Sequence, residues 1–178
     1  MEQKTRNRRI PNFRLKIDRP ERMLEAGLEV FTLFGFDRGR LEDIGQRVGL
    51  TRAAVYYYFP SKEFLAARLV ERYALPEDYD PGEAEPRAAL EQALASGRPA
   101  RVLAFVLTEN RALPELGIAY RRTLVDAVSR WPAVGDPALA EDIVDSALSA
   151  AAFRKIFGGV AGALPPPGTE APALGLSI

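Results

Sequence analysis

Three residues at a fixed spacing constrain the fold of this chain more than any other feature of its sequence. Gly45 is a small residue, Gly49 follows four positions later, and Val55 follows six positions after that. Two short helices that cross steeply need a small residue at the crossing, a residue that tolerates a left-handed backbone in the turn, and an aliphatic side chain that packs back. The spacing therefore predicts a helix-turn-helix over residues 40–59. Its predicted core consists of Ile44, Val48 and Leu50.

Apolar residues recur at helical spacing along the rest of the chain, and no stretch alternates long enough to indicate a sheet. Gly35 and Pro60 are expected to end helices, whereas Asp18, Thr51 and Ser61 are expected to cap them. The predicted helices begin near residues 18, 40, 51, 61, 86, 99, 115 and 137. The last of them is expected to reach residue 161. The sequence therefore predicts an all-α fold.

The charges are divided unevenly although the net charge of the chain is zero. Residues 1–75 contain 15 Lys or Arg and 10 Asp or Glu, a net charge of +5, whereas residues 76–178 contain 9 and 14, a net charge of −5. Such a division indicates that the first half meets a polyanion, although chance segregation would give the same pattern. With the helix pattern it suggests four regions. They are a basic flexible arm (1–17), a helix-turn-helix domain with a connecting helix (18–75), a second helical domain (76–162) and a Pro-rich tail (163–178).

The composition excludes several classes of function. The chain has no Cys and no His, so it has neither a disulfide framework nor an imidazole base or metal ligand. We therefore expect no metal, no cofactor and no enzymatic activity. No apolar run is long enough to span a membrane, and the basic N-terminus lacks the apolar core of a signal peptide. The simplest expected location is the cytoplasm.

The second helix of the helix-turn-helix presents side chains suited to DNA. A recognition helix lies in the major groove, where Arg52 can pair with guanine O6 and N7 and Ala53 can touch a thymine methyl. Phosphate oxygens are the predicted partners of Thr51, Tyr56, Tyr57 and Lys62. The alternatives are a solvated surface charge for Arg52 and Lys62 and core packing for the tyrosines. Among these aromatic residues, Tyr58 is expected to be partly structural and Phe59 to belong to the core.

The stretch RMLEAGLEVFTLFGFDRGRLEDIGQRVGLTRAAVYYYFPSKEFLAARLVE resembles the N-terminal domain of the tetracycline-repressor (TetR) family of bacterial transcription regulators. The resemblance is carried by EAGLEVF, GFD, LEDIG and YYYFPSKEFL. It implies an all-helical homodimer with three DNA-binding helices and a C-terminal domain that binds a small molecule and dimerises. Gly39 and Arg40 stand where the family usually has threonines, Gly45 where it usually has Ala, and Tyr58 where it usually has His. Arg40 is accordingly expected to contact a phosphate in place of the usual threonine. The other positions that match the family's DNA contacts are Thr51, Arg52, Ala53, Tyr56, Tyr57 and Lys62.

The second half of the chain carries weaker candidates, each of which has plain core packing or a solvated helix face as its alternative. An effector pocket is mostly apolar with few polar groups. Its candidate lining residues are Phe105, Glu109, Tyr120, Trp131 and Phe153. Small residues on the last helix would let a partner helix approach closely. The candidate dimer-interface residues are Ile143, Ala147, Ala150, Ala151 and Phe157.

Together these patterns predict a transcriptional regulator. We expect a ligand-responsive repressor that binds a palindromic operator on double-stranded DNA as a homodimer, without a membrane partner. The alternative is a sequence-independent architectural DNA-binding protein, which the basic first half also fits.

Overall fold

Every regular element in the described part of the chain is an α-helix, so the predicted all-α fold is confirmed. The computed structural model describes residues 19–109 and 111–157. In these residues the helices are α1 (Arg19–Arg38), α2 (Leu41–Val48), α3 (Arg52–Tyr58), α4 (Lys62–Tyr73), α5 (Pro86–Leu94), α6 (Gly97–Glu109), α7 (Pro114–Val128) and α8 (Pro137–Phe157).

The helix starts lie within two residues of the positions predicted from capping and periodicity. The hydroxyl of Ser61 accepts a hydrogen bond from the backbone N–H of Phe64, 3.1 Å away, and so caps α4 as expected. Asp136 likewise accepts from the N–H of Ala138 at the start of α8. The predicted basic arm 1–17, the capping residue Asp18 and the tail 163–178 lie outside the described residues.

Helix α1 is broken at Gly35 rather than ended there. Gly35 has φ 78° and ψ 167°, a conformation that residues with a side chain rarely adopt. The chain then makes one more turn to Arg38, closed by a hydrogen bond from the N–H of Gly39 to the carbonyl of Gly35. The break interrupts the helical hydrogen-bond ladder, so the backbone groups next to it need other partners.

The N-terminal helices form a small three-helix unit. Helix α1 packs against α2, and α2 packs against α3. Their shared apolar interior is buried almost completely. It contains Met23, Leu28, Phe31, Ile44 and Val55.

The connecting helix α4 joins this unit to the C-terminal helices. It contacts α1 on one side and α6 and α7 on the other, while α8 packs against α5 and α7. Helix α1 also packs directly on α6, so one continuous apolar core extends through both parts. In the described residues, no helix has both the length and the apolar character needed to cross a lipid bilayer.

A polar cluster fastens the start of α1 to α4 and α6. The hydroxyl of Tyr73 donates a 2.9 Å hydrogen bond to Glu21, and the Nε of Arg72 donates to the same carboxylate. Arg98 at the start of α6 pairs with Glu25 and lies over the Tyr73 ring, 5.1 Å from its centre. The hydroxyl of a tyrosine and two ion pairs therefore hold three helices together at this end of α1.

Candidate DNA-binding surface

The crossing of α2 and α3 has the geometry that the Gly45, Gly49 and Val55 spacing predicts. A Cβ atom on Gly45 would lie 2.6 Å from Cγ2 of Val55 and 3.2 Å from the carbonyl oxygen of Leu50, so any side chain at this position would force Val55 or the turn to shift. Gly49 adopts the left-handed conformation with φ 71°, and the N–H of Leu50 donates to the Gly45 carbonyl at 2.8 Å. Val55 is fully buried, which confirms that it packs α3 back onto α2.

The two helices begin differently. The Oγ1 of Thr51 accepts a hydrogen bond from the N–H of Ala54, 3.3 Å away, and so caps α3 as the sequence predicts. Arg40 occupies the position before α2 and makes no side-chain hydrogen bond to the helix. Because its side chain is exposed, it stays available for another partner.

Helix α3 separates its residues sharply into a buried side and an outer side. Val55 and the following Phe59 are buried, and Tyr58 is half-buried against the core, as expected. The outer side exposes every residue of α3 that the sequence assigns to DNA, and Tyr57 is exposed by 81%. These exposed residues, with the cap, are Thr51, Arg52, Ala53, Tyr56 and Tyr57.

One carboxylate on α2 organises two of these side chains. The Nε of Arg52 lies 3.1 Å from Oε1 of Glu42, and the hydroxyl of Tyr56 donates to the same oxygen over 3.4 Å. The guanidinium carbon of Arg52 also lies 5.4 Å from the centre of the Tyr56 ring. Sequence reasoning missed Glu42, because the spacing that predicts two crossing helices does not specify which charged residue of α2 faces α3.

Lys62 has backbone partners that the sequence did not indicate. Its ammonium donates to the carbonyl oxygens of Phe36 at 2.9 Å and Asp37 at 3.2 Å, both in the turn after the break in α1. The ammonium nitrogen also lies 4.6 Å from the centre of the Phe36 ring. Lys62 thus satisfies carbonyl groups that the broken helix leaves without helical partners.

Glu109, a candidate for the effector pocket, contacts the same turn from the other side. Its Oε1 accepts a hydrogen bond of 3.2 Å from the backbone N–H of Phe36. Phe105, one turn earlier on α6, is buried and stacks on Phe31 with ring centres 5.4 Å apart. Both residues border a small cavity of about 200 Å³ between α1, α6 and Lys155 of α8. Their described contacts therefore join α6 to α1.

The other three effector candidates lie in separate places. Trp131 lines a larger cavity of about 450 Å³ between the end of α4, the following loop and the end of α7. Tyr120 is buried in the core, and its hydroxyl has no hydrogen-bond partner among the described residues. Phe153 lies on the surface and is exposed by 64%. The five candidates do not share one cavity, because the helical pattern identifies apolar residues without showing which faces of different helices meet.

The dimer-interface candidates on α8 mostly fill the interior of the chain itself. Ile143, Ala147 and Ala151 are buried, because this face of α8 packs against α5 and α7. The structure thus places them in the internal core, which was the alternative for these residues. Ala150 is half-exposed, and the side chain of Phe157 falls outside the described part of the structure.

Comparison with known proteins finds a similar domain in the N-terminal part of the chain. Residues 23–69 match the model described as "Bacterial regulatory proteins, tetR family", and this segment contains α2, α3 and most of α1 and α4. The N-terminal part of this chain is therefore similar to proteins of the tetR family. The helix-turn-helix described above is therefore one that occurs in bacterial regulatory proteins.

Individual relatives match over the same region. The chain is 46% identical over 43 residues to the HTH-type transcriptional regulator RutR of Escherichia coli (strain K12), which covers 24% of this chain and 20% of RutR. It is 40% identical over 63 residues to the HTH-type transcriptional regulator SrpR of Pseudomonas putida, which covers 34% of this chain and 30% of SrpR. The chain thus spans less than a third of the length of either relative.

The similarity of fold extends much further than the similarity of sequence. A solved structure described as "Molecular basis for control of antibiotic production by a bacterial hormones" superposes with a TM-score of 0.52 at 23% identity. The superposition covers 81% of this chain and 87% of that chain. Because the superposition covers most of this chain, the likeness of fold includes C-terminal helices as well as the N-terminal ones.

Proposed function

We propose that this protein is a sequence-specific DNA-binding transcriptional regulator that reads its operator with α3. One observation carries the proposal. A helix held rigidly by a glycine crossing exposes Arg52, Ala53, Tyr56 and Tyr57 together, and none of the four contributes to the core. A recognition helix needs such a surface, because base edges and phosphates are reached by side chains that the fold leaves exposed.

The exposed side chains divide into base-reading and phosphate-binding groups. Arg52 is exposed by 74% and pairs with guanine in the major groove, while Ala53 contacts a thymine methyl. The phosphate-binding group consists of Arg40, Thr51, Tyr56, Tyr57 and Lys62. An ammonium group has three N–H donors. Lys62 therefore keeps its hydrogen bonds to two backbone carbonyls and donates its third N–H to a phosphate oxygen.

The regulator acts as a homodimer on a palindromic operator. Two copies of α3 about 34 Å apart meet successive turns of the major groove on one side of the duplex. The half-exposed Ala150 supports an approach of two copies along the outer face of α8, although its buried neighbours serve the core of each chain. A size measurement in solution tests this part, and a monomer at the concentrations that bind DNA would contradict it.

The regulator is a repressor that responds to a small molecule. We place the effector in the cavity lined by Trp131, because its volume of about 450 Å³ suits a small ligand. Trp131 and Tyr79 both line this cavity, with their ring centres 5.8 Å apart, and together they form an aromatic wall. The effector releases DNA by favouring a conformation in which the two reading helices have the wrong separation.

The single tryptophan of the chain makes the effector site measurable. A compound that releases the DNA is expected to change the emission of Trp131 over the same concentration range. Trp131→Phe provides the control for the origin of the signal. A compound that releases the DNA without affecting Trp131 would move the effector site elsewhere in the chain.

Selection from a library of randomised duplexes tests the main proposal. We expect the protein to enrich one near-palindromic sequence and to bind it at least 1,000-fold more tightly than unrelated duplexes, as specific DNA-binding proteins do. The preference should persist as salt weakens non-specific binding. Equal affinity for all duplexes would instead support the sequence-independent architectural protein.

Arg52→Ala tests the assignment of base reading. We expect a loss of about 1–3 kcal/mol in binding free energy at the operator, with relaxed discrimination at one base pair. Arg68→Ala is the matched control, because Arg68 is an exposed arginine of α4 that pairs with Glu71 away from α3. If Arg52→Ala discriminates between base pairs as the wild type does, Arg52 does not read a base.

A further inference from the structure

We propose that Glu42 determines the specificity of this DNA-reading surface by acting through Arg52. Glu42 holds Arg52 in place for a base edge and makes it unfavourable for the same side chain to settle on a phosphate. The inference rests on the proposed function, and it adds a positioning residue that is not itself expected to touch DNA.

The geometry of the cluster supports a positioning role. Glu42 lies in the first turn of α2, and its Oε1 lies within 3.4 Å of both the Arg52 Nε and the Tyr56 hydroxyl. Arg52 and Tyr56 are four residues apart on α3, so they occupy neighbouring positions on one face of the helix. One carboxylate oxygen thus contacts both the base-reading Arg52 and its neighbour Tyr56 and relates them to α2.

The exposure of the pair indicates that stability is not its main contribution. The side chain of Arg52 is exposed by 74% and that of Glu42 by 33%. Exposed ion pairs contribute little to folding, because water and salt screen them. The same contact restrains a long, flexible arginine before DNA arrives, which reduces the conformational entropy lost on binding.

The ion pair with Glu42 is made through Nε, and the Arg52 side chain is mostly exposed, so we infer that its terminal nitrogens stay accessible. On the operator, Arg52 can donate to guanine from its terminal nitrogens while its Nε stays beside Glu42. On an unrelated duplex, Arg52 would have to leave Glu42 to follow a phosphate. The carboxylate would then be unpaired on a surface that faces a polyanion, which is unfavourable. Glu42 therefore penalises non-specific binding more than operator binding.

The experiment compares three duplexes and four variants of the full chain. The duplexes are the one enriched by selection, the same duplex with the base pair read by Arg52 exchanged, and an unrelated duplex of equal length. Glu42→Gln removes the charge and keeps an acceptor, while Glu42→Ala removes both. Arg52→Ala identifies the base pair. Glu29→Ala is the matched control, because it breaks an exposed ion pair with Arg47 of 3.4 Å on the same domain.

We expect both Glu42 variants to bind the unrelated duplex about 5-fold more tightly than the wild type does. The slope of log affinity against log salt concentration should become steeper by the amount expected for about one additional phosphate contact. Glu42→Ala should also lose about 5-fold to 10-fold of the discrimination at the base pair read by Arg52, within the range of one base contact. Glu42→Gln should lose less of it, because the amide keeps an oxygen beside Arg52 and an acceptor for the Tyr56 hydroxyl. Glu29→Ala should leave both quantities as in the wild type.

A double mutant shows whether the effect passes through Arg52. In the Arg52→Ala background, Glu42→Ala should cause no further loss of discrimination, since coupled residues are not additive. Independent, additive losses would overturn the inference, and so would wild-type discrimination in Glu42→Ala. Equal weakening on all three duplexes with a lower melting temperature would reduce Glu42 to a structural residue and overturn it as well. Absence of any preference in the wild type would instead overturn the proposed function itself.

Discussion

The helix-turn-helix and the C-terminal helices solve the same packing problem in different ways. Where α2 crosses α3, a Cβ atom at position 45 would lie 2.6 Å from the Val55 side chain, so the crossing requires a small residue there. Among α4, α7 and α8, large side chains such as Leu69 and Leu124 fill the interior instead. A crossing of backbones fixes an angle, whereas an interior of flexible apolar side chains can be filled in several arrangements. The angle between α2 and α3 is therefore specified more narrowly than the packing among the C-terminal helices.

The two regions also differ in whether the hydroxyl of a buried tyrosine has a hydrogen-bond partner among the described residues. Tyr73, at the junction with the N-terminal unit, donates its hydroxyl proton to Glu21, and burial together with this bond raises the pKa of the phenol. Tyr120 in α7 is buried without a partner for its hydroxyl among the described residues, and burial raises its pKa. An unpaired buried polar group opposes folding, while a paired one does not. The contrast yields predictions of opposite sign.

The largest effect is expected at the helix crossing. Gly45→Leu should lower the free energy of unfolding by about 3 kcal/mol and abolish operator binding, because the new side chain must separate α3 from α2. Denaturant unfolding followed by circular dichroism measures the loss. Gln46→Leu is the control, since it adds the same side chain at the next, exposed position. Similar stability of the two variants would mean that the crossing is not tightly specified.

Tyr73→Phe should have the next largest effect. Losing a hydrogen bond to a carboxylate is expected to lower the free energy of unfolding by about 1.5 kcal/mol. Denaturant unfolding provides the measurement, and Tyr79→Phe is a useful comparison because the Tyr79 hydroxyl donates to a neutral backbone carbonyl, that of Ala89. The loss should be smaller in Tyr79→Phe. An unchanged stability in Tyr73→Phe would show that water replaces the hydroxyl at this junction.

Tyr120→Phe should change stability in the other direction. Removing an unsatisfied buried hydroxyl while keeping the ring is expected to raise the free energy of unfolding by about 1 kcal/mol. The same unfolding measurement applies, with Tyr73→Phe as the partner of opposite sign. A loss of stability in Tyr120→Phe would indicate that the hydroxyl is hydrogen-bonded in solution, and the contrast between the two regions would disappear.

The smallest effect is expected from acid. Hydrogen bonds from Arg121 lower the pKa of Asp145, which joins α7 to α8. Because the folded-state pKa is lowered, the pair stabilises the protein above the ordinary aspartate pKa of about 4, and this stabilisation is lost as the pH falls through the lowered value. Asp145→Asn should therefore lose less stability than the wild type between pH 7 and pH 3, by up to about 1 kcal/mol for an exposed pair.

The control for the acid experiment is Asp142→Asn on the same helix. Asp142 is exposed and makes no ion pair with any described residue. It should follow the wild type across the whole pH range. If Asp142→Asn and Asp145→Asn behave alike, the pH dependence comes from the overall charge of the chain rather than from the pair with Arg121.

Local features of this molecule could be predicted from the sequence, whereas contacts between distant residues could not. The crossing of α2 and α3 depends on residues within ten positions of each other, so its spacing revealed it. The bond between Phe36 and Glu109 joins residues 73 positions apart, and periodicity shows nothing about such a pair. For the same reason the pattern found the apolar residues Trp131 and Phe153 but could not show that they lie in different places.

At the break in α1, the backbone of Phe36 is hydrogen-bonded to side chains from two other helices. The N–H of Phe36 is held by α6 through Glu109, and its carbonyl is held by α4 through Lys62. A shift of α6 relative to α4 is therefore expected to strain both hydrogen bonds of the Phe36 backbone. Only two residues, Gly39 and Arg40, connect this turn to α2. A displacement of this turn is therefore expected to pass almost directly to the helix-turn-helix, because the connection between them is so short.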